Sequence, residues 1–343
     1  MSASVAVLDE DHVLRMVADV LAARTAADWS RVGEFFAPDV ADPAALEELR
    51  EGITLAGPGE PATALLLRRG RVDRAELAAR PGLRLVQRLG GRPDGIDLAA
   101  AKEAGVAVSC LPRPSLARTA EHAVLLMLAL TKRLIAADRA VRCGTAITAG
   151  AGGVAYNWAG ITGLGGLHGR TLGIVGLGEV GHLVAVRARA FEMRIRYSGP
   201  RLDPDAEVAL GVEHRSLPDL LAESDVVTLH VRGTVGAPVL GRAEIAAMRP
   251  GALLINTGRG SLVDEDALYD ALVSGRLGGA GLDVHAHEPR SAGDRFCRLD
   301  NVVLTPHIAG GSRLEVLEEV RKVFENVRSA AAGAAPPHGR VEP

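Results

Sequence analysis

The chain has 343 residues, of which 48% are hydrophobic, with a formal net charge of −3 and a sequence pI near 6.4. This length predicts two domains, and the weak, scattered charge argues against a nucleic-acid partner. Three widely spaced cysteines without a CxxC pair argue against a disulfide framework or a structural zinc site. No targeting pattern opens the chain, and the longest apolar run, residues 123–130, is too short to cross a bilayer, so a cytoplasmic location without a membrane is expected.

The first part of the chain is predicted to be α/β. Apolar runs indicate strands at residues 64–67, 83–87 and 106–109, with helices at 74–79 and 97–103 between them. Residues 25–62 give no assignment. A long apolar helix is predicted over residues 118–141, followed by a glycine-rich connection over residues 144–166.

From Gly169 onward, short apolar strands alternate with amphipathic stretches, as is typical of a parallel sheet covered by helices on both faces. The predicted strands are residues 171–175, 193–197, 225–231, 252–256, 279–284 and 301–304. The predicted helices are residues 180–190, 216–223, 242–248 and 264–274, the last with Asp264 as its N-cap. Six strands suit a complete dinucleotide-binding domain.

The predicted fold is α/β, with two Rossmann-like or flavodoxin-like domains, parallel sheets and an interdomain cleft. A helix over residues 313–327 is inferred to return to the first domain, which would then be discontinuous. The expected boundaries are residues 1–117 with 306–335 for the substrate domain and 118–305 for the dinucleotide-binding domain. The tail from Ala331, with two prolines, is expected to be frayed.

A GxGxxG motif lies between the first strand of the second domain and a helix: Gly176, Leu177, Gly178, Glu179, Val180 and Gly181. In that context it predicts a dinucleotide site. Gly176 permits the tight turn, Gly178 lets the backbone approach a pyrophosphate, and Gly181 lets helix and strand pack closely, while the helix N-terminus supplies N–H groups. A glycine-rich turn without a ligand is the structural alternative.

The choice of cofactor depends on the end of the second strand, residues 197–201, where NAD sites usually carry an acid and this chain carries none. Ser198 and Arg201 can supply a hydroxyl and a guanidinium to a 2′-phosphate, so NADP(H) is favoured. In the alternative, Arg201 is a solvated loop residue, Asp203 serves the ribose, and the cofactor is NAD(H). The other predicted cofactor contacts are His230, Thr257 and Asp283.

Three strand-end segments, residues 256–260, 283–289 and 305–307, place an arginine, a carboxylate and an imidazole on loops of one sheet. Arg259 can fix an anionic substrate, His307 can donate a proton to a carbonyl oxygen, and Glu288 can favour the protonated ring. This trio predicts reduction of a 2-keto acid. Each has a structural alternative: an arginine on a helix end, a satisfied histidine, and a solvated carboxylate.

His285 and His287 lie just before Glu288, with an alternating spacing that metal ligands also show. No third ligand follows, and hydride transfer needs no metal, so none is predicted.

Several stretches of the chain together resemble the D-isomer-specific 2-hydroxyacid dehydrogenase family. They are residues 95–102, 120–122, 172–178, 248–260, 263–265 and 305–310, within a resemblance that runs from about residue 83 to residue 327. The resemblance implies that Arg259 binds the substrate carboxylate, that His307 is the acid/base, and that Glu288 fixes the His307 tautomer. It also implies that Asp283 lies near the nicotinamide end of the cofactor, and it suggests a homodimer.

Arginines mark the departures from the family pattern. Arg92 follows Gly91 where a glycine is usual, and both are predicted to bind substrate, with Arg92 suited to a second anionic group. In the alternative, Arg92 faces solvent or braces a domain interface. Arg232 stands where relatives usually carry proline and is predicted to touch the adenosine end of the cofactor. Arg113 and Arg118 add positive charge near the expected cleft.

The leading hypothesis is therefore an NAD(P)H-dependent D-2-hydroxyacid dehydrogenase, or 2-keto acid reductase, with glyoxylate or hydroxypyruvate as first-choice substrates. One alternative is a dehydrogenase of phosphite or formate. Another is a non-catalytic NAD(H)-sensing scaffold of the corepressor type. The presence of Arg259, Glu288 and His307 together favours an enzyme.

Overall fold

The computed structural model describes residues 3–9, 11–35, 43–57, 59–145, 163–200, 202–231, 237–311 and 313–342. The chain divides into two compact units, Met1–Ser115 with Ser312–Pro343, and Leu116–Gly311. Each contains helices and a sheet whose strands are mainly parallel, which confirms the predicted fold class.

The strands follow one another along the whole chain. They are Ala3–Val7 (β1), Ile53–Leu55 (β2), Ala64–Leu67 (β3), Leu85–Leu89 (β4), Ala107–Leu111 (β5), Thr171–Val175 (β6), Arg194–Ser198 (β7), Val212–His214 (β8), Val226–Leu229 (β9), Leu253–Asn256 (β10), Gly279–Leu282 (β11), Val302–Leu304 (β12) and Arg340–Val341 (β13).

The helices lie between most of these strands. They are His12–Ala22 (α1), Ala26–Phe35 (α2), Pro43–Arg50 (α3), Arg74–Ala78 (α4), Leu98–Glu103 (α5), Pro114–Thr131 (α6), Leu134–Arg142 (α7), Glu179–Ala190 (α8), Pro204–Leu210 (α9), Leu217–Glu223 (α10), Arg242–Ala247 (α11), Glu265–Val273 (α12) and Arg313–Ala331 (α13). As predicted, Asp264 caps α12, accepting hydrogen bonds from the N–H groups of Asp266 and Ala267.

The sheet of the first unit has the order β13-β5-β4-β3-β1-β2, and its strands are parallel except for β13. Alternate residues of β3 face opposite sides, as the two-residue period of a strand requires. Leu66 packs in a core with α1 and α13, whereas Leu65 packs in a second core with α4 and α5. Helix α13 thus belongs to the first unit although it follows the second in sequence.

The prediction of a frayed tail after Ala331 is wrong. β13 pairs antiparallel with β5, and the carbonyl of His338 accepts hydrogen bonds from Ser109 Oγ (2.7 Å) and Asn326 Nδ2 (3.0 Å). Asn326 Nδ2 also donates to Gln87 Oε1 at 2.7 Å. Asn326, Gln87 and Ser109 are completely buried. The tail is ordered because it satisfies polar groups that the first unit has taken out of water.

The sheet of the second unit has the order β12-β11-β10-β9-β6-β7-β8, with every neighbouring pair parallel. All six predicted strands are present, and β8 is a seventh that the prediction missed. The strand order reverses around β6, which lies between β7 and β9. In open parallel sheets, ligands bind beyond the carboxyl ends of the strands at such a reversal.

The predicted long helix is instead two helices, α6 and α7. The break falls at Arg133, whose φ of 48° is left-handed and ends the α-helical path. Helix α6 buries Ala120, Ala123, Leu126 and Met127 in the core of the second unit. Within the described part of the chain, no helix is long and apolar enough to cross a membrane.

Some predictions fall on residues that the structure does not describe. Most of the glycine-rich connection, residues 146–162, is among them. So are Arg201 and Arg232.

Candidate active site

The glycine-rich motif forms the turn from β6 into α8. Gly176 has a φ of +96°, and a Cβ added there would lie 2.8 Å from the carbonyl oxygen of His230. A Cβ added at Gly181 would lie 2.3 Å from the carbonyl oxygen of Gly176. Apart from its chain neighbours, no described residue has an atom within 4 Å of a Cβ added at Gly178, the residue that precedes Glu179. The fold therefore requires the outer two glycines, whereas Gly178 leaves the room that a pyrophosphate needs.

A second feature that fits a cofactor is Thr257, which directly follows β10. Its Oγ1 is buried and makes no hydrogen bond to any described residue. A buried hydroxyl without a partner is costly, and at a strand end it suits a bound ligand. The chain's own residues therefore fit a dinucleotide in this unit, with Leu177, Glu179 and Val180 in the same turn as Gly178.

His230 follows β9 and hydrogen-bonds through Nε2 to Thr228 Oγ1 at 2.9 Å. Burial lowers its pKa to about 4. Its ring is therefore neutral at physiological pH and contributes no charge to the nucleotide site.

Ser198 is the last residue of β7, the strand end at which a contact with the adenosine ribose is expected. The alternative ribose ligand, Asp203, is otherwise engaged. Its Oδ1 accepts a hydrogen bond from the N–H of Ala206 at 3.0 Å, which caps α9, and its Oδ2 lies 3.3 Å from His182 Nε2. This arrangement disfavours Asp203 as a partner for ribose hydroxyls.

The imidazole and the carboxylate of the predicted trio are in contact. His307 Nδ1 lies 2.7 Å from Glu288 Oε2, with side-chain exposures of 48% and 36%. The pairing directs Nδ1–H at the carboxylate, so that Nε2 is the nitrogen available for proton exchange. The two groups can therefore act as a proton-transfer dyad.

Two further influences act on Glu288. Its Oε1 accepts a hydrogen bond from the N–H of His285 at 2.9 Å. Partial burial pushes the pKa of Glu288 up, but the hydrogen bonds from His307 and from the His285 N–H outweigh it, and the net pKa lies below its usual value. Glu288 is therefore ionised at neutral pH and can hold a protonated imidazole.

His307 has a left-handed backbone with a φ of 57°, which is uncommon for a residue other than glycine. Asp283, fully buried at the end of β11, holds this turn. Its carbonyl oxygen accepts the His307 N–H at 2.8 Å, its Oδ1 accepts the Ile308 N–H at 2.9 Å, and its Oδ2 accepts the Ala309 N–H at 2.9 Å. Because Asp283 accepts hydrogen bonds from three consecutive backbone N–H groups, the strained conformation of His307 is held by several contacts at once.

The sequence prediction assigned no role to two residues that contact Asp283. Thr305 Oγ1 donates a hydrogen bond to Asp283 Oδ1 at 2.6 Å, and His122 Nε2 lies 2.9 Å from Thr305 Oγ1. Both residues lie within the family-like stretches, so the signal was present, but only the fold brings α6 against the turn after β12.

Arg259 follows β10, and its loop is held by Asn256, whose Nδ2 donates to the Arg259 carbonyl at 2.8 Å. The guanidinium is exposed and donates through Nη1 to the Gly258 carbonyl at 2.6 Å. A Cβ added at Gly260 would lie 2.0 Å from the carbonyl oxygen of His285. The loop of Arg259 therefore abuts the loop of Glu288, although no hydrogen bond among the described residues joins the guanidinium to the dyad.

His285, one of the two histidines with metal-like spacing, uses both ring nitrogens on protein partners. Arg290 Nε donates to its Nδ1 at 2.9 Å, so Nε2 carries the proton and donates to the Thr305 carbonyl at 3.0 Å. Arg290 also pairs with Glu265. His285 therefore braces the loop of Glu288, and it is not placed to bind a metal.

The predicted substrate residues Gly91 and Arg92 lie in the first unit, exposed on the loop after β4. The buried guanidinium of Arg88 donates to the Arg92 carbonyl and lies 3.4 Å from Asp94 Oδ2. These two contacts stabilise the loop. Arg113 adds little free charge. It is buried, 3.4 Å from Asp11 Oδ2 and 3.5 Å from Glu319 Oε2.

The doubly wound sheet, the glycine-rich turn and the histidine–carboxylate dyad are the parts that an oxidoreductase acting on CH–OH groups requires. A sequence model of the NAD-binding domain of the D-isomer specific 2-hydroxyacid dehydrogenases matches residues 124–309. The chain belongs to the D-isomer specific 2-hydroxyacid dehydrogenase family.

Individual relatives agree with this. The glyoxylate reductase of Korarchaeum cryptofilum is 39% identical over 269 residues, 78% of this chain and 79% of the relative. The D-3-phosphoglycerate dehydrogenase of Archaeoglobus fulgidus is 36% identical over 77% of this chain, which spans only 48% of that relative. The crystal structure of a glyoxylate reductase from Paecilomyes thermophila has a TM-score of 0.58 at 28% identity, covering 99% of this chain and 98% of that one.

Proposed function

We propose that the protein is an NAD(P)H-dependent reductase of small 2-keto acids, with glyoxylate or hydroxypyruvate as substrate. The observation that carries the proposal is the 2.7 Å contact between His307 Nδ1 and Glu288 Oε2. A proton donor at the end of the sheet that also carries the nucleotide turn is what ketone reduction requires.

Each member of the trio has a distinct role in this reaction. A nicotinamide cofactor held by the glycine-rich turn and Thr257 would supply, or accept, the hydride at the substrate C2. Arg259 binds the substrate carboxylate and orients the carbonyl. His307 Nε2 protonates the carbonyl oxygen as it becomes a hydroxyl, and Glu288 stabilises the charged ring before that transfer and fixes its tautomer. In the oxidative direction, His307 removes the hydroxyl proton.

The substrate is proposed from the relatives and from the charge of the site. Relatives of similar length are named glyoxylate reductase, whereas the chain spans about half of the phosphoglycerate dehydrogenases it matches. Arg92, exposed on the loop after β4, suits a substrate with a further polar group, which hydroxypyruvate has and glyoxylate lacks. Hydroxypyruvate and glyoxylate are therefore the first compounds to test.

The test is to follow absorbance at 340 nm with purified protein, NADH or NADPH, and a panel of 2-keto acids. The proposal expects cofactor oxidation that depends on glyoxylate or hydroxypyruvate. Absence of oxidation with every keto acid would favour the non-catalytic scaffold. Reduction of the oxidised cofactor by phosphite or formate would instead identify an anion dehydrogenase.

The cofactor is proposed to be NADP(H). No acid lies at Ser198 or in the two residues after it, and Asp203 is engaged by α9 and His182. A carboxylate at the strand end would repel a 2′-phosphate, so its absence favours the phosphorylated cofactor. The same kinetic screen should give a higher kcat/KM for NADPH than for NADH, and the reverse order would refute this preference.

A homodimer is also proposed. The apolar segment 123–130 is mostly buried inside the second unit, but Leu125, Leu134 and Ile135 are 50%, 49% and 51% exposed on α6 and α7. Exposed apolar groups on consecutive helices are typical of a subunit interface. Light scattering should give twice the 35.7 kDa chain mass, and a monomer at micromolar concentration would refute the dimer.

Arg259→Ala should raise the KM for the keto acid at least about tenfold, because a charged hydrogen bond to the carboxylate is lost. The KM for NADPH should stay close to that of the wild type. Arg242→Ala is a matched control, since Arg242 lies on α11 in a solvent-exposed pair with Asp270. Unchanged saturation by the keto acid in Arg259→Ala would remove this arginine from substrate binding.

A further inference from the structure

A partly buried chain of hydrogen bonds connects helix α6 to the turn that carries His307. It runs from His122 Nε2 to Thr305 Oγ1 (2.9 Å) and from Thr305 Oγ1 to Asp283 Oδ1 (2.6 Å). Asp283 in turn accepts hydrogen bonds from the N–H groups of His307, Ile308 and Ala309. All of these residues belong to the second unit.

The direction of each hydrogen bond follows from the chemistry of the groups. Asp283 Oδ1 and Oδ2 each accept a backbone N–H, so the carboxylate acts as the acceptor and the hydroxyl proton of Thr305 points at Oδ1. The Thr305 oxygen must then accept from His122, which fixes a proton on His122 Nε2. Asp283 is 0% exposed and the His122 side chain 10% exposed, so water does not readily replace either partner.

We propose that Thr305 and His122 are positioning residues that set the orientation of the His307 ring through Asp283. The turn at His307 is left-handed and strained, so it persists only while its supports hold. Removing a donor from Oδ1 lets the Asp283 carboxylate rotate, which loosens the N–H groups of Ile308 and Ala309. The His307 ring then leaves its alignment with a bound carbonyl. The inference rests on the proposed function, because it concerns the proton donor of that reaction.

A second contact to the same segment supports a positioning role. His285 Nε2 donates to the carbonyl of Thr305, while the Thr305 side chain joins Asp283 and His122. Hydrogen bonds thus hold both the backbone and the side chain of Thr305, which lies two residues before His307. Several hydrogen bonds to one supporting residue are expected where a proton donor must be fixed to within a fraction of an ångström.

The decisive variant is Thr305→Val, which keeps the shape of the side chain and removes the hydroxyl. We expect kcat for keto-acid reduction to fall about 10- to 100-fold, as misalignment of a reacting group does, while the dissociation constant of NADPH measured by fluorescence is unchanged. Thr305→Ser should restore most of kcat. His122→Leu should act in the same direction as Thr305→Val, and His122→Gln, which retains an N–H donor, should be milder.

Thr131→Val is the matched control. Thr131 is also buried on α6, but its hydroxyl donates to the Met127 carbonyl at 2.9 Å within the helix. The same chemical change there should leave kcat unchanged. An equal loss of kcat in Thr131→Val, or no loss in Thr305→Val, would overturn the positioning role.

Amide hydrogen exchange separates this proposal from the proposed function, because it needs no turnover. In Thr305→Val, the amides of residues 307–309 should exchange at least about tenfold faster, with the rest of the second unit unchanged. Unchanged exchange overturns the positioning role even in an active enzyme. A wild-type protein that reduces no keto acid overturns the proposed function, and faster exchange in its Thr305→Val variant would still support the link from Thr305 to the turn.

Discussion

His307→Asn should lower kcat for keto-acid reduction by at least about 100-fold, because an amide is too weak an acid to protonate the carbonyl oxygen. Asparagine is the informative replacement. The backbone at this position has a φ of 57°, which asparagine tolerates better than alanine does. The loss can therefore be assigned to the ring and not to a collapsed turn. Steady-state kinetics at saturating NADPH and keto acid measure it.

His287→Ala is the control for this variant, since His287 is an exposed histidine beside Glu288 that has no role in the proposed reaction. It should retain the wild-type kcat. The binding of NADPH by His307→Asn should also be normal. Wild-type turnover in His307→Asn would show that another group donates the proton.

Gly260→Ala should damage both stability and activity. The added Cβ would lie 2.0 Å from the carbonyl oxygen of His285 and 2.5 Å from the backbone nitrogen of Ala286, and neither backbone group can rotate away. Relief requires the Arg259 loop and the Glu288 loop to separate. We expect the free energy of unfolding to fall by about 1–3 kcal/mol and kcat/KM for the keto acid to fall more than the change in folded fraction explains.

Gly166→Ala tests whether any glycine replacement would have this effect. In the part of the chain that the structure describes, no atom beyond the chain neighbours lies within 4 Å of a Cβ added at Gly166. Chemical denaturation should therefore give a wild-type midpoint for Gly166→Ala and a lower one for Gly260→Ala. Equal midpoints for the two variants would mean that the contact between the two loops is not close in solution.

The groups of the candidate site that could be predicted are those whose chemistry is local in sequence. Glu288 and His307 were placed at strand ends from the sequence, and the family resemblance implied that they pair, with which the 2.7 Å contact agrees. The supporting residues were not found, because their roles depend on tertiary contacts. His122 lies on α6, 183 residues before Thr305, and nothing near either residue in sequence indicates that the two meet.

The fold was predictable to a similar degree. Long apolar strands with helical stretches between them were placed to within a few residues, whereas β8 was missed because three residues carry no periodicity. The break at Arg133 was missed because arginine gives no breaker signal and a left-handed residue there is set by its surroundings. Residues 3–9 and α1 gave no prediction at all, although β1 pairs with both β2 and β3 in the first sheet and α1 packs in its core.

The antiparallel pairing of β13 with β5 governs how the C-terminus tolerates manipulation. Proteolysis or deletion before Ala335 would remove β13 and make β5 an edge strand. The unpaired backbone groups of β5 could then pair with other polypeptides, which promotes aggregation. It would also remove the backbone partners that His338 gives to both ends of the buried Asn326 amide. Purification tags are better joined beyond Val341 through a flexible spacer than fused onto a shortened chain.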